Sequence, residues 1–276
     1  MRTIQRAGLV AVALGVASGA FAQVPIDLTI SGNQAQGTIS LPGDINADLT
    51  ITFENPVGLT STALEASVTL VDPMDPDLLS RLPPLTSIPA AFPVLLRIGP
   101  AAPSGLTFSA LATVSLHTHN LVYNPAAPQA LLKAHDGGSF ADITTYEGIG
   151  SYRAGGSTGD FSEFLIVSDS RPIDPVIVGK FDALQATLTA HAGEMPFLVA
   201  LTLQVRLIAA RLLYRAGSLV PAISKLTSFA SYVVLHTGAD IPGVWDGDNP
   251  AVINVAGLLR TGAETLKFSL DRKASQ

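Results

Sequence analysis

The chain has 276 residues, 16 basic against 22 acidic, for a net charge of −6. That length suffices for one large domain or two modest ones, and the mild acidic excess argues against a nucleic-acid or anionic-membrane partner. The absence of cysteine excludes disulfides, thiol catalysis, thiolate metal sites and a cysteine-linked lipid anchor, and an aromatic content of 6% is thin for a sugar-stacking platform.

The opening stretch has Arg2 and Arg6, an apolar run from Ala7 to Ala17, and then Ala20-Phe21-Ala22. A basic start, a short apolar segment and a small-x-small ending predict a secretory signal peptide over 1–22, cut before Gln23. The apolar run is shorter than the roughly twenty residues a membrane span needs. The expected product is exported, periplasmic or extracellular, with no membrane span after cleavage.

From residue 23 to 175 the pattern is one of short β-type runs between Gly, Pro, Asn and Asp clusters. The runs are IDLTI, GTISL, ADLTITFE, LEASVTLV, PVLLRI, ATVSLHTH, ALLKAH and FSEFLIVSD. Leu49, Ile51 and Phe53 alternate with Thr50 and Thr52, and Leu64, Ala66, Val68 and Leu70 repeat the pattern. Such alternation marks half-buried strands, and many of them separated by turns predict an antiparallel β-sandwich. The proline-rich stretch Val71 to Pro93 is expected to cross the surface, with one helical turn at Asp77 to Arg81.

Within ATVSLHTH, Ser115, His117 and His119 fall on the face opposite Val114 and Leu116. Two imidazoles on one strand face suit a shared zinc ion, but such a site needs a third ligand and usually a fourth. His135 and Asp136, at the end of a later strand, are the candidates. The simpler reading is a wet polar row backing a buried face.

Gly155 to Gly159 spells Gly-x-Ser-x-Gly around Ser157. A serine hydrolase needs that motif between a strand and a helix. Here it sits in a glycine-rich stretch leading to a strand, which reads as a flexible hairpin loop. Tyr146, Tyr152 and Arg153 in the same stretch form the local cluster suited to touching a ligand.

Beyond Pro175 the apolar period lengthens, predicting about four helices over 176–272. The first covers Val178 to His191. The second has Pro196 in its first turn and Gly217 as its stop. It is so apolar that a central position, covered by three neighbours, is expected, with Arg206 and Arg211 leaving at the rim. Ser218 caps the third helix. Asp248 or Asn249 caps the fourth, with Pro250 at its first position. Asp246 and Asp248 alternate as calcium ligands do, but the distal glutamate of a full calcium loop is missing: twelve residues after Asp246 stands Leu258. Trp245, the single tryptophan, is expected to wedge this link against the helices.

The segment from ARLLYRAG through AISKLTSFASYV to DNPAVINVAGLL resembles the FIMAH-type helical module of secreted bacterial proteins, over roughly Lys180 to Leu270. The resemblance implies an accessory architecture without chemistry of its own. The first half is similar to exported bacterial domains of unknown function, and FSEFLIVSD looks like the last strand of ZU5-like sandwiches. The expected fold is thus α+β in separate domains, an antiparallel β-sandwich followed by a helical bundle. The expected function is non-catalytic: binding an unknown protein or envelope partner, with self-association through the helices. The alternative is a metal-dependent binding protein or hydrolase using His117, His119 and His135. No further cofactor is expected.

Overall fold

The structure, a computed structural model, describes residues 22–276; the predicted signal segment lies outside them apart from Ala22. The first strands are β1 (Val24–Pro25), β2 (Thr29–Ser31), β3 (Gln34–Leu41), β4 (Ile45–Phe53) and β5 (Leu64–Leu70). A short helix α1 (Pro76–Ser80) precedes β6 (Thr86–Ser87), β7 (Val94–Pro100), β8 (Thr107–Ser109) and β9 (Ala112–Val122). Then come β10 (Gln129–Ala134), β11 (Ala141–Asp142), β12 (Thr144–Gly148), β13 (Ser151–Thr158) and β14 (Glu163–Asp169). Helices α2 (Ile173–Ala190), α3 (Phe197–Arg215) and α4 (Leu219–His236), strand β15 (Val244–Asp246) and helix α5 (Val255–Ala274) complete the chain.

The fold is α+β with antiparallel sheets. Seven strands form one sheet in the order β1-β5-β7-β14-β10-β11, with β6 also on β14; six form a second in the order β12-β13-β9-β4-β3-β2. One core joins them: Leu49, Ile51 and Phe53 of β4 and Val114 and Leu116 of β9 meet Val68, Leu96, Ile98 and Phe164 of the larger sheet. All eight β-type runs overlap strands. The larger sheet is buried on its far side as well. There Leu132, Leu165 and Val167 pack against Leu78 of α1, Ile88 and Phe140. The proline-rich crossing is therefore a lid, and its helical turn is capped by the Asp75 carboxylate accepting from Asp77 N–H.

Several expectations are corrected. The glycine-rich stretch is no loop: Ser151–Thr158 is strand β13, paired with β9 on one side and β12 on the other. Its glycines serve close packing. A Cβ at Gly156 would lie 2.7 Å from Ile143 Cδ1, and one at Gly159 would lie 2.8 Å from the Gly257 backbone of α5. Trp245 packs against Phe108 and Phe161, at 5.2 and 5.4 Å between rings, and so belongs to the sheet core.

The helices are also arranged differently from expectation. α3 packs on α4 and, less extensively, on α2, leaving its remaining surface open. The central helix is α5, which touches α2, α4, β12 and β13. The helix core combines Phe181 and Leu184 of α2, Leu203 and Leu207 of α3, Phe229 of α4, and Leu259 and Leu266 of α5. Neither Asp248 nor Asn249 caps α5. Asn254 does, its side-chain oxygen accepting from Gly257 N–H at 2.9 Å while its amide donates to the Ala110 and Gly159 carbonyls. One buried side chain thus starts the helix and fastens it to the end of the smaller sheet where β9 begins and β13 finishes.

Candidate functional site

Three places in the molecule gather chemistry or unusual surface. The first is the outer face of the six-stranded sheet. Strand alternation buries Leu116 and Thr118 and turns His117 and His119 outward. Asp48 of β4 is the direct cross-strand partner of His117. Its Oδ2 lies 3.5 Å from His117 Nδ1 and 3.1 Å from His119 Nε2. Among the described residues this is the one group of three histidine or carboxylate ligands whose donor atoms all lie within 4.8 Å of one another.

His135 and Asp136 do not join it. They follow β10, in the other sheet. His135 Nε2 contacts Asp160 Oδ2 at 2.9 Å, and Asp160 also receives the ammonium of Lys133. Burial brings Lys133 down to about 7 and lowers His135, to which the Lys133 charge adds. Asp136 accepts from Ser162. The third ligand candidate was missed because cross-strand register is not written in local spacing; only the pairing of β4 with β9 brings Asp48 in.

The other predicted groups disperse or are used structurally. Tyr152 points into the core at 1% exposure, whereas Tyr146 stays half exposed and Arg153 lies on the outer face. The trio therefore forms no common surface. Ser157 is buried and donates to Glu264 of α5 at 2.8 Å. Asp248 accepts from the backbone N–H groups of Ser104 and Gly105, both at 2.7 Å, which hold its carboxyl below the usual range. Asp246 accepts from Asp248 N–H. These two acids brace a loop against the link before α5.

The second place is a cleft of about 670 Å³ where the larger sheet meets α2 and α5. Its walls include Pro84, Leu85, Phe140, Val176 and Leu184. At its floor the Lys180 ammonium donates to Asp142 at 2.7 Å, to the Thr265 hydroxyl at 2.7 Å and to Ser269 at 2.9 Å. Arg171 grips Asp169 in a two-point pair, at 2.8 and 2.7 Å, and reaches Asp142 at 3.6 Å. Burial alone would raise Asp142; the Lys180 charge and hydrogen bonds from Lys180 and Thr144 hold it below the usual carboxylate range. Burial lowers Lys180 against the pull of Asp142. Thr261 is also a wall residue, and its hydroxyl is buried without a partner.

The third is the open face of α3. Leu198, Leu201, Val205, Ile208 and Leu212 are all exposed, from 44% to 71%. Their spacing alternates three and four, the seam of a helix that meets another helix. By length and composition α3 and α4 are long and apolar enough to cross a membrane, and the apolar stretch of each is 22% buried.

No curated protein and no solved structure matches the chain. A family model matches residues 10–274, nearly the whole length, and the chain accordingly belongs to the family of unknown function DUF6689.

Proposed function

We propose that the protein is an exported, non-catalytic binding protein. Its two large sheets act as a β-sandwich, α2 to α5 act as a bundle, and the cleft at their junction holds a small, largely apolar molecule. The observation that carries this reading is the cleft itself. Its volume of about 670 Å³ is that of a small-molecule site, and its walls are mainly apolar. The floor is electrically balanced, Lys180 and Arg171 against Asp142 and Asp169, so the fitting molecule is uncharged. Export is supported by the sequence of residues 1–22, and an accessory role accords with the FIMAH-type resemblance.

Gly179 makes the test clean, because it lines the cleft and a Cβ there would meet nothing within 4 Å. A neutral apolar dye such as Nile red is expected to bind one per chain, and Gly179→Phe to abolish binding while leaving the melting temperature unchanged or raised. No saturable dye binding, or equal binding by the filled variant, would overturn the reading.

A second reading, self-association through α3, is supported by the three-four seam. Pairing two copies along it hides several hundred Å² on each, approaching the roughly 800 Å² per partner of a stable interface. Sedimentation of the full chain tests it: wild type should dimerise with rising concentration, and Val205→Lys should stay monomeric.

A further inference from the structure

We infer that Asp48, His117 and His119 form a binding site for a late first-row divalent ion, zinc foremost, on the outer face of the six-stranded sheet. A tetrahedral ion with metal–ligand distances of about 2.0–2.1 Å separates neighbouring ligands by roughly 3.3–3.5 Å. The Asp48 oxygen stands 3.5 Å from His117 Nδ1 and 3.1 Å from His119 Nε2. Two edges of the tetrahedron are thus already near their required length. The third, between the imidazoles, is no more than 4.8 Å and closes by side-chain rotation alone. The rings lie 4.8 Å apart at their centroids, on a strand held by pairing along both edges.

The ligand set decides the ion. Two imidazoles with one carboxylate suit zinc, copper or nickel, whereas calcium and magnesium require six or more oxygens. Three protein ligands leave a fourth position toward solvent, where His117 and His119 are partly exposed. The cation facing the group is Arg153, the cross-strand partner of His117 on its other side. Its stem lies over Gly148 of β12, so the side chain leans away from Asp48. The far end of this strand pair is tied by Asn120, which accepts from Asn46 N–H at 2.8 Å and donates to the Asp44 carbonyl at 2.9 Å. That tie holds the strands that carry the ligands in register.

The test uses tag-free, chelator-stripped full chain titrated with zinc chloride by calorimetry, and with Cu²⁺ observed by electron paramagnetic resonance. One zinc per chain is expected, with at least tenfold weaker binding in His117→Ala, in His119→Ala and in Asp48→Asn. The copper spectrum should show two nitrogen donors, falling to one in either histidine variant. His135→Ala, on the other sheet, serves as control and should bind as wild type does. All four positions are at least partly exposed, so circular dichroism should confirm unchanged folding. Absence of saturable zinc binding, or affinity unchanged in the His117→Ala/His119→Ala double variant, would overturn the site and leave the His119–Asp48 contact as a plain hydrogen bond.

Discussion

Helices α3 and α5 are nearly equal in length and invert the usual relation between hydropathy and burial. α3 is mostly aliphatic, yet it buries only Val199, Leu203, Leu207 and Ala210. α5 carries Arg260, Glu264, Lys267, Asp271, Arg272 and Lys273, yet it buries nine residues, including Thr265 and Ser269. The reason is side-chain size at the contact. Gly257 lets the start of α5 touch the backbone of Gly159 and Ala110, and Gly262 lets its middle approach Leu184. Most of the polar groups α5 brings inside find partners: Thr265 and Ser269 accept from Lys180, and Arg260 makes a two-point pair with Glu54 at 2.6 and 3.0 Å, while Arg260 Nε and the Thr261 hydroxyl have none. Close approach and satisfied polar groups select the central helix; bulk hydropathy does not.

The strongest challenge to that comparison is Asp142→Ala, which strands the Lys180 ammonium between α2 and α5. Loss of one partner of a buried pair costs about 3–5 kcal/mol, to be read from urea unfolding. The pH dependence has a defined sign. Because Asp142 is held below the usual carboxylate range in the folded chain, its contribution is complete above the unfolded value near pH 4 and disappears as pH falls through the depressed one. The variant should lack that acid-linked component.

Leu266→Ala in α5 should cost about 2–5 kcal/mol, since the side chain is fully buried. Leu212→Ala in α3, the same chemical change at an exposed site, should stay within about 0.5 kcal/mol in dilute protein. Equal losses at the two positions would erase the distinction between the helices. Gly257→Ala sharpens it further. The added carbon would sit 2.3 Å from the Ala110 carbonyl oxygen, and the resulting displacement of α5 should cost about 1–3 kcal/mol. The smallest effect on unfolding belongs to Val205→Lys, whose consequence should show in sedimentation rather than in stability.

The smaller sheet was legible because one side of β3, β4 and β9 is wet. In β4 and β9 alternation is clean, and it placed His117 and His119 outward. It failed in β13, where Ala154-Gly155-Gly156 is buried with little side chain to display a period, and where packing against Ile143 and Tyr146 demands glycine. The helix stretches were visible from their period. Their order of burial was not, because a long aliphatic run reads the same whether its far face meets protein or solution. Asn254 was overlooked as a cap because Asp248, Asn249 and Pro250 offered a stronger local signal; only the tertiary position of the Ala110 and Gly159 carbonyls distinguishes it. The cleft and the Asp48 ligand both depend on segments far apart in the chain.

The Asn254 anchor has a consequence for folding. Residues 255–274 supply the helix that seals both the edge of the smaller sheet and the core of α2 and α4. Without those residues the helix core lacks Leu259, Leu266 and Leu270, and the side of β12 and β13 that faces α5 is left uncovered. Closure of the helix core therefore waits for residues 255–274.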